Sequence, residues 1–457
     1  MKIIILGAGQ VGSNLAEHLV REGNDLTVVD LDAEKLAALQ DRFDLRTVCG
    51  QASNPAILKA AGADDADMLV AVTLNDETNM VACKLGGTLF NIPTKIARIR
   101  AIEYMKYPQL FGPAVFGVDH VIAPEQEITD YLRKLIDYPE ALQVVDFGGG
   151  RARLVAMKAR AGGPLVGHEL RDLQKHLPGL DARVAAIFRR DRTLIPEGRT
   201  VIQDRDEIFF IAATENIRAV MKEMRRGDKS VRRVMIAGGG NIGQRLAKSL
   251  ETDYEVKIID RNKKNTQHLA STLHNTLVLT GDATDEDLLL EENIEDMDVF
   301  CALTNDDEDN IMSSLLAKRL GAKKVIALIN RSTYVDLLQG GEIDIALSPA
   351  QATIGPLLTH IRRGHMAVVH SLRRGAAEAL EAVVHGDAKS SKLVGRRIEE
   401  IDLPEGVSIG AILRGDKVII AHHDSSIETD DHLILFIPNK RLISKVEKLF
   451  QVGLGFF

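Results

Sequence analysis

Residues 3–19 read IIILGAGQVGSNLAEHL, and residues 234–250 read VMIAGGGNIGQRLAKSL, which is the same pattern a second time. Each stretch joins an apolar strand pattern to a helical pattern through a G-x-G-x-x-G segment. In such a segment the first glycine makes a tight turn, the second lets the backbone approach a pyrophosphate, and the third lets the helix pack on the strand. Both stretches therefore predict a strand–turn–helix unit whose helix N-terminus faces a phosphate group.

A carboxylate follows each glycine segment where a dinucleotide-binding fold has one. Asp30 ends the next strand pattern after Gly12, and Asp260 ends the next strand pattern after Gly243. A carboxylate there accepts hydrogen bonds from ribose hydroxyls and repels a ribose phosphate, which favours NAD over NADP. Arg261 follows Asp260 directly and could stack on adenine or tolerate a phosphate, so the preference of the second copy stays open. A degenerate unit kept only for packing is the alternative in both copies.

The repeat continues past the carboxylates. GQAS at 50–53 matches GDAT at 281–284, and AVTLNDETN at 71–79 matches ALTNDDEDN at 302–310. Ligands of doubly wound sheets lie beyond the carboxyl ends of the strands. We therefore expect the first pair to line the adenine end and the second pair to approach the ribose or the phosphates. A simple turn is the alternative for the first pair.

Individual side chains in these segments carry their own expectations. Asp282 could accept a hydrogen bond from an exocyclic amine of the base, and Gln51 could pair with the base in the first copy. The acidic run Asp306–Asp309 is more typical of a helix cap than of a cation site. Arg98, near the end of the fifth strand pattern, could neutralise a pyrophosphate or form a surface salt bridge. Its aligned position in the second copy is Ile329, so this role does not carry across.

The duplication includes the segments that follow each unit. GPLVGHELRDL at 163–173 resembles SKLVGRRIEEI at 391–401, and both lie among short alternating strand patterns with glycine turns. Glycine-rich or charged runs at Gly148–Gly150 and Arg226–Lys229 are expected boundaries. The predicted fold class is α/β, a duplicated Rossmann-like parallel-sheet domain with a small α+β subdomain after each copy. The predicted segments are Rossmann-like units at 1–125 and 232–349, helical connectors at 126–142 and 350–367, and small subdomains at 143–231 and 368–457.

Composition excludes several classes of protein. With 57 Lys and Arg against 65 Asp and Glu, the net charge is −8, which argues against a nucleic-acid partner. Cys49, Cys83 and Cys301 show no paired spacing, so we expect neither a disulfide framework nor a metal site. No apolar run is long enough to span a membrane, and the chain is predicted to be cytoplasmic.

Two hypotheses fit a pair of nucleotide sites. An NAD-dependent oxidoreductase needs a general acid or base beside the nicotinamide, but the small subdomains repeat only apolar alternation and turn residues. A regulatory protein needs no chemistry, because ligand binding only has to shift the arrangement of rigid units. We therefore predict a non-enzymatic sensor without catalytic residues, with the oxidoreductase as the alternative and a scaffold with vestigial sites as a third possibility.

The duplicated motifs resemble those of RCK domains, the regulators of potassium conductance. GAGQVG, VVD, GQAS and TLNDETN, repeated as GGGNIG, IID, GDAT and TNDDEDN, carry the resemblance, and the order of four units covers essentially the whole chain. The chain is similar to the tandem, NAD-binding peripheral subunits of bacterial Trk potassium uptake systems. Related systems also bind ATP or ADP. Some relatives that bind nucleoside triphosphates have a basic residue between the second and third glycines, where this chain has Gln10 and Asn241, which favours the dinucleotide NAD or NADH.

The resemblance implies a cofactor-binding set in each copy. The glycine segments would hold the phosphates, the carboxylates the ribose, and the later segments the rest of the nucleotide. In the first copy the set is Gly7, Ala8, Gly9, Gln10, Val11, Gly12, Asp30, Gln51, Ala52, Thr73, Leu74 and Arg98. In the second copy it is Gly238, Gly239, Gly240, Asn241, Ile242, Gly243, Asp260, Asp282, Ala283 and Thr304.

The resemblance also implies an assembly. Rings of this family typically use eight RCK units, so four chains with two units each would form a homotetramer. The ring would sit on the inner face of the membrane under an integral-membrane potassium channel or transporter subunit of the Trk type. Nucleotide state would change the angle between Rossmann-like units and so alter potassium flux. Four apolar connector residues would supply dimer contacts or be buried in the core of one chain: Ile128, Leu132, Leu135 and Ile136.

Overall fold

The structure is a computed structural model that describes residues 1–190, 192–194, 196–224, 230–338, 341–361, 366–373 and 376–451. The expected boundary at Arg226–Lys229 and residues 362–365 of the predicted second connector lie outside these ranges. The chain packs as two compact units. The first comprises residues 1–129, 328–337 and 347–354, and the second comprises residues 130–327, 338–346 and 355–457.

The first Rossmann-like domain is a six-stranded parallel sheet with the order β3-β2-β1-β4-β5-β6. This is the order of a dinucleotide-binding sheet, in which the ligand crevice opens beyond β1 and β4, where the strand order reverses. The strands are β1 (Lys2–Leu6), β2 (Asp25–Asp30), β3 (Arg46–Cys49), β4 (Met68–Ala71), β5 (Thr94–Arg98) and β6 (His120–Ile122). The helices are α1 (Gln10–Arg21), α2 (Ala33–Gln40), α3 (Pro55–Ala60), α4 (Asp76–Leu89), α5 (Ile102–Met105) and the connector α6 (Pro124–Asp137).

The first small subdomain is a five-stranded antiparallel sheet with the order β10-β9-β11-β8-β7. Its strands are β7 (Ala141–Phe147), β8 (Ala152–Lys158), β9 (Ala182–Arg189), β10 (Arg192–Leu194) and β11 (Glu207–Ala213), and its helices are α7 (Leu173–His176) and α8 (Ile217–Met224). The prediction of a domain boundary at Gly148–Gly150 is wrong. These glycines form the turn between β7 and β8 of one sheet, with positive φ at all three.

The second Rossmann-like domain repeats the first. Its sheet has the order β14-β13-β12-β15-β16-β17, and the pairs from β14 to β16 are parallel. The strands are β12 (Arg233–Ala237), β13 (Glu255–Asp260), β14 (Thr276–Thr280), β15 (Val299–Ala302), β16 (Lys324–Leu328) and β17 (Ile345–Leu347). The helices are α9 (Asn241–Leu250), α10 (Lys263–Thr272), α11 (Glu286–Glu291), α12 (Asp307–Arg319), α13 (Ser332–Leu337) and the connector α14 (Pro349–Ile361).

The second small subdomain has the same strand arrangement as the first, β18-β19-β22-β20-β21. Its elements are β18 (Met366–Leu372), β19 (Ala377–Val383), β20 (Ser408–Arg414), β21 (Lys417–Ile420), β22 (His432–Ile437) and α15 (Ile443–Glu447). Parallel sheets therefore alternate with antiparallel sheets along the chain, which confirms the predicted fold class.

The two antiparallel sheets share one hydrophobic core within the second compact unit. The ring of Phe209 on β11 lies 5.5 Å from that of Phe188 on β9 and 6.2 Å from that of Phe436 on β22. Alternate residues of each strand face this core, which explains the period-two pattern of these segments. The two small subdomains thus form a single packed body, although the whole second Rossmann-like domain separates them in the sequence.

The connector α6 buries its apolar stripe inside the chain. Ile128, Leu132, Leu135 and Ile136 are each 0% exposed. Burial in the core is therefore the correct alternative for these residues, and their side chains are not available as dimer contacts. Among the helices of the described ranges, none is both long and apolar enough to cross a membrane.

Candidate nucleotide-binding sites

The glycine turn of the first Rossmann-like domain is fixed by close approach. Gly7 has a φ of +110°, and a Cβ there would lie 3.0 Å from the Val72 carbonyl oxygen. A Cβ on Gly12 would lie 1.9 Å from the Gly7 oxygen. By contrast, a Cβ on Gly9 would meet none of the described atoms within 4 Å. Gly7 and Gly12 are needed for the turn itself, whereas Gly9 borders open space of the kind that a pyrophosphate would fill.

The second domain repeats this turn with one change. Gly238 has a φ of +104°, and a Cβ on Gly243 would lie 1.9 Å from the Gly238 oxygen. A Cβ on Gly240 would again meet no described atom within 4 Å. Gly239, which stands where the first domain has an alanine, is tighter, because a Cβ there would lie 2.4 Å from Cδ1 of Leu269.

Both glycine turns end in a helix that no side chain caps. Helix α1 follows Gly9 and helix α9 follows Gly240, and glycine has no side chain that could accept a hydrogen bond from the first turn. Helices α2, α4, α10 and α12 do have such caps. At α12, Asp306 accepts a hydrogen bond from the Asp309 amide, which confirms the capping prediction for the acidic run. An uncapped N-terminus beside open space is an anion-binding arrangement. The amides concerned belong to Gln10, Val11 and Gly12 and to Asn241, Ile242 and Gly243.

A strand-end carboxylate is fixed beside each turn. Oδ2 of Asp30 accepts a hydrogen bond of 2.6 Å from the Ala8 amide, and Oδ2 of Asp260 accepts one of 2.8 Å from the Gly239 amide. Oδ2 of Asp260 also accepts a 3.0 Å bond from the side chain of Asn265. A carboxylate has about four acceptor positions, so both side chains keep capacity for ribose hydroxyls while the backbone holds them in place.

Two buried asparagines, which the sequence analysis did not single out, hold the loops after β4 and β15. Oδ1 of Asn79 accepts hydrogen bonds from the Thr73 amide at 3.0 Å and the Thr73 hydroxyl at 2.7 Å. Asn310 binds Thr304 in the same way, at 2.9 and 2.7 Å. The Asn79 amide group also donates to the carbonyl oxygen of Arg98 at 2.9 Å, which ties the ends of β4 and β5 together. Both asparagines close the repeated TLNDETN-type motif, and this shared position was the available clue.

The adenine end differs between the copies. Gln51 is exposed, and its side chain donates to the Ser53 hydroxyl at 3.3 Å. In the second copy Arg261 forms ion pairs with Asp282 at 3.0 Å and with Asp309 at 2.9 Å. We call these three side chains the Arg261 clasp. Burial raises the pKa of Asp282, but hydrogen bonds from Thr284 and the Arg261 guanidinium outweigh it and leave that pKa below its usual range.

Arg98 forms a salt bridge, the alternative to the pyrophosphate role, but this salt bridge is largely buried and does not lie on the surface. Its Nη2 is 3.0 Å from Oε1 of Glu125 at the start of α6, and the Arg98 side chain is 13% exposed. The same glutamate oxygen is 3.0 Å from Nε of Arg100. Burial raises the pKa of Glu125, but the two guanidinium groups more than offset it, so that the pKa is lowered. Sequence analysis missed Glu125 and Arg100, because the second copy has Ala350 where the first has Glu125, so the pair does not repeat.

The remaining predicted residues occupy different surroundings. Ala52 is buried in the core of the first domain, where it supports the turn after β3. Leu74 projects outward and is 78% exposed. Ala283 is half-buried in the turn that Asp282 and Thr284 stabilise. Within the described ranges, no group of three or more histidine, cysteine, aspartate or glutamate side chains is arranged to hold a metal ion.

Models of two protein domains match the chain in alternation. The TrkA-N domain matches residues 3–124 and 234–349, and the TrkA-C domain matches residues 154–225 and 387–451. The first pair of segments corresponds to the two Rossmann-like domains, and the second pair lies within the two small subdomains.

Relatives are similar to the chain along its full length. The Trk system potassium uptake protein TrkA of Halomonas elongata is 61% identical over 457 residues, which is 100% of both chains. The proteins of the same name from Vibrio alginolyticus and Haemophilus influenzae are 58% and 51% identical over 452 residues, or 99% of each chain.

Solved structures have the same fold at lower identity. The GsuK RCK domain matches with a TM-score of 0.61 at 19% identity and covers 98% of this chain and 94% of that chain. The GsuK channel bound to NAD matches with a TM-score of 0.62 at 18% identity, over 98% of this chain and 78% of that chain. Tandem RCK architecture and full-length identity of 61% agree: the chain belongs to the TrkA family of Trk system potassium uptake proteins.

Proposed function

We propose that the chain is a nucleotide-sensing regulatory subunit that binds NAD or NADH at both Rossmann-like domains. The observation that carries this proposal is the duplicated cradle: a tight glycine turn, an uncapped helix N-terminus and a carboxylate fixed at the end of the second strand. A helix N-terminus beside open space suits a pyrophosphate, and the carboxylate suits a ribose with free hydroxyls. The two halves of a dinucleotide match these two features.

The first site is also proposed to accept ATP or ADP. Arg98 at the end of β5 and Arg100 just after it both pair with Oε1 of Glu125. Ligands of doubly wound sheets lie beyond the carboxyl ends of the strands, and arginines at that edge suit a ligand with several phosphate charges. The GsuK channel, a structural neighbour, has been solved with NAD and with ADP.

The partner is proposed to be an integral-membrane potassium channel or transporter subunit of the Trk type. Relatives that share 51% to 61% of the sequence carry the name of a potassium uptake system. A homotetramer with eight RCK units would form a ring at the cytoplasmic face of the membrane. Binding of the nucleotide changes the arrangement of the rigid domains, and the membrane subunit responds with a change in potassium flux. In this scheme the chain itself performs no catalysis.

Calorimetric titration of NADH, NAD and ATP tests the binding step. We expect two classes of dinucleotide site in the wild type, of which Asp30→Ala loses one and Asp260→Ala the other. Loss of a charged hydrogen-bond partner weakens affinity about 10- to 150-fold. Asp260→Asn is the matched control, since it keeps the shape of the side chain and part of its acceptor capacity. If neither alanine variant weakens binding, the cradles do not bind nucleotides.

Flux measurement tests the regulatory step. Proteoliposomes that contain a Trk-type membrane subunit should show potassium flux that depends on added nucleotide only when this chain is present. Asp30→Ala and Asp260→Ala should each change that dependence. Recovery of NADH unchanged after incubation supports the sensor, whereas oxidation of NADH by the purified chain with a small substrate would favour the oxidoreductase instead.

A further inference from the structure

Arg261 lies where a Rossmann-like domain selects between NAD and NADP. It follows the ribose carboxylate Asp260 directly, and an arginine at this place commonly receives the 2′-phosphate of NADP. Such a role requires guanidinium nitrogens that can turn to the ligand. In this chain both terminal nitrogens are engaged, since Nη2 is 3.0 Å from Oδ1 of Asp282 and Nη1 is 2.9 Å from Oδ2 of Asp309.

The Arg261 clasp crosses the carboxyl edge of the second sheet. Arg261 follows β13, Asp282 follows β14, and Asp309 lies in the first turn of α12 after β15. In the strand order β14-β13-β12-β15, the two carboxylates flank β13 and β12 on opposite sides. The arginine therefore bridges the part of the edge at which a nucleotide ribose would lie.

One end of the clasp is held rigidly. Oδ1 of Asp282 accepts hydrogen bonds of 2.9 Å from the Thr284 amide and 2.7 Å from the Thr284 hydroxyl, in addition to its ion pair with Arg261. Asp309 is itself anchored, because its amide donates to the side chain of Asp306 at 2.8 Å. Two fixed carboxylates around one arginine leave a local excess of negative charge, which opposes an incoming phosphate.

The first domain has no such clasp at the matching positions. By alignment of the two copies, Leu31 stands for Arg261, Gln51 for Asp282 and Thr78 for Asp309. None of these three side chains is charged, and Leu31 is 73% exposed. The two domains can therefore be compared directly. Both have a carboxylate at the expected ribose position, but only the second has an arginine beside it, and that arginine is paired with two further carboxylates.

We propose that the Arg261 clasp is the specificity determinant of the second site. The carboxylates of Asp282 and Asp309 keep Arg261 from receiving a 2′-phosphate, so the site accepts NAD(H) and rejects NADP(H). Release of the arginine from its two partners would convert the site toward NADP(H). This inference rests on the proposed binding of dinucleotides to the second domain.

The test measures the ratio of the dissociation constants for NADPH and NADH. Because the two ligands differ only in the 2′-phosphate, an effect of a substitution on contacts to the shared part cancels in this ratio. The background variant is Asp30→Ala, in which the first site is expected not to bind. Asp282→Gln together with Asp309→Thr then replaces the two partners of Arg261 with the residues found at the same positions in the first domain. We expect the ratio to fall about tenfold, the low end for a charge-assisted hydrogen bond at a half-exposed arginine. Addition of Arg261→Leu should reverse the fall.

The reciprocal experiment in the first domain tests the same proposal even if the Asp282 and Asp309 double variant does not fold. In an Asp260→Ala background, Leu31→Arg places an arginine at the first site beside uncharged Gln51 and Thr78. The NADPH to NADH ratio there should also fall about tenfold. An unchanged ratio in either experiment, with NADH binding intact, would overturn the clasp alone. Absence of NADH binding to the Asp30→Ala parent would overturn the proposed function at the second site, and the clasp with it.

Discussion

The glycine turns of the two Rossmann-like domains have nearly the same geometry. The φ angle is +110° at Gly7 and +104° at Gly238, and the third glycine of each copy leaves the same 1.9 Å for a Cβ. The charges around these turns differ. The first domain has the ion pairs of Arg98 and Arg100 with one glutamate after β5, and the second has the Arg261 clasp. Duplication has kept the residues that shape the backbone and changed the residues that would meet a ligand.

The physical reason lies in the cost of each kind of change. Any residue other than glycine at Gly7 or Gly12 would place its Cβ against backbone atoms. Substitutions at these two positions therefore destabilise the turn. A half-exposed residue such as Arg261 contributes little to stability, because solvent screens its ion pairs. Such positions are free to change charge without loss of the fold, and the two sites can acquire different ligand preferences.

The largest expected effect tests the part that the copies share. Gly12→Ala and Gly243→Ala should each lower the free energy of unfolding by about 3 kcal/mol, the upper end for overpacking, because a Cβ would lie 1.9 Å from a carbonyl oxygen. Each variant should also lose nucleotide binding at its own site. Urea unfolding and calorimetry with NADH measure the two effects. Unequal losses of stability in the two copies would contradict the equivalence of the two glycine turns.

The matched controls are Gly9→Ala and Gly240→Ala. Their φ angles, −74° and −68°, suit alanine, and no described atom lies within 4 Å of the added Cβ. Stability should change by less than about 0.5 kcal/mol, while NADH binding weakens because the methyl group enters the phosphate space. Destabilisation as large as that of Gly12→Ala would contradict this assignment of the open space.

The buried asparagines provide the second test. Asn79→Ala and Asn310→Ala should each cost about 2 kcal/mol, since each leaves buried backbone groups without a partner. Hydrogen exchange should speed up in the loop after β4 or β15 of the altered copy only. Thr73→Val is the milder control, because it removes the hydroxyl and leaves the Thr73 amide bonded to Asn79. Exchange that increases equally in both copies would indicate that the loops are coupled rather than independent.

The third test uses pH to separate the copies. The pKa of Glu125 is lowered from its usual 4.5, so its stabilising contribution is present above that value and is lost as the pH falls through the folded pKa. Glu125→Gln should cost about 1–3 kcal/mol at neutral pH. The difference from wild type in urea unfolding should shrink progressively as the pH falls below 4.5. Glu103→Gln, at an exposed position of α5, should change little. A difference that does not depend on pH would contradict the ion pair.

Motifs whose residues are needed for a particular backbone conformation could be predicted from the sequence. Side-chain contacts between segments far apart in the sequence could not. The glycine turns and strand-end carboxylates follow from local geometry, so their placement beside one another was predictable. The pairing of Arg98 with Glu125 joins β5 to α6, and no local pattern encodes it. The Gly148–Gly150 run shows the same limit, because glycines indicate a turn but not whether it joins two domains or two strands of one sheet.

The sequence could not predict which protein groups a charged side chain pairs with. The sequence placed Arg261 beside the ribose carboxylate and left open whether it meets adenine or a phosphate. In the structure its two terminal nitrogens form ion pairs with Asp282 and Asp309, which belong to later segments of the chain. Only the folded sheet brings these three residues together, since they follow three different strands.

The smallest expected effect concerns Leu74, which is 78% exposed and aligns with Asn305 of the second copy. Leu74→Asn should change the free energy of unfolding by less than about 0.5 kcal/mol, because the side chain buries little surface. If this leucine covers a bound nucleotide ring, the variant should weaken NADH binding to the first site by about threefold to tenfold, as partial burial of an apolar side chain implies. The reverse change, Asn305→Leu, should strengthen binding to the second site by a similar factor.

Titration of each variant, in a background in which the other site cannot bind, measures the two changes in affinity. Opposite shifts of similar size would show that the position contributes to affinity in both copies, whereas no shift in either would remove Leu74 from the binding set.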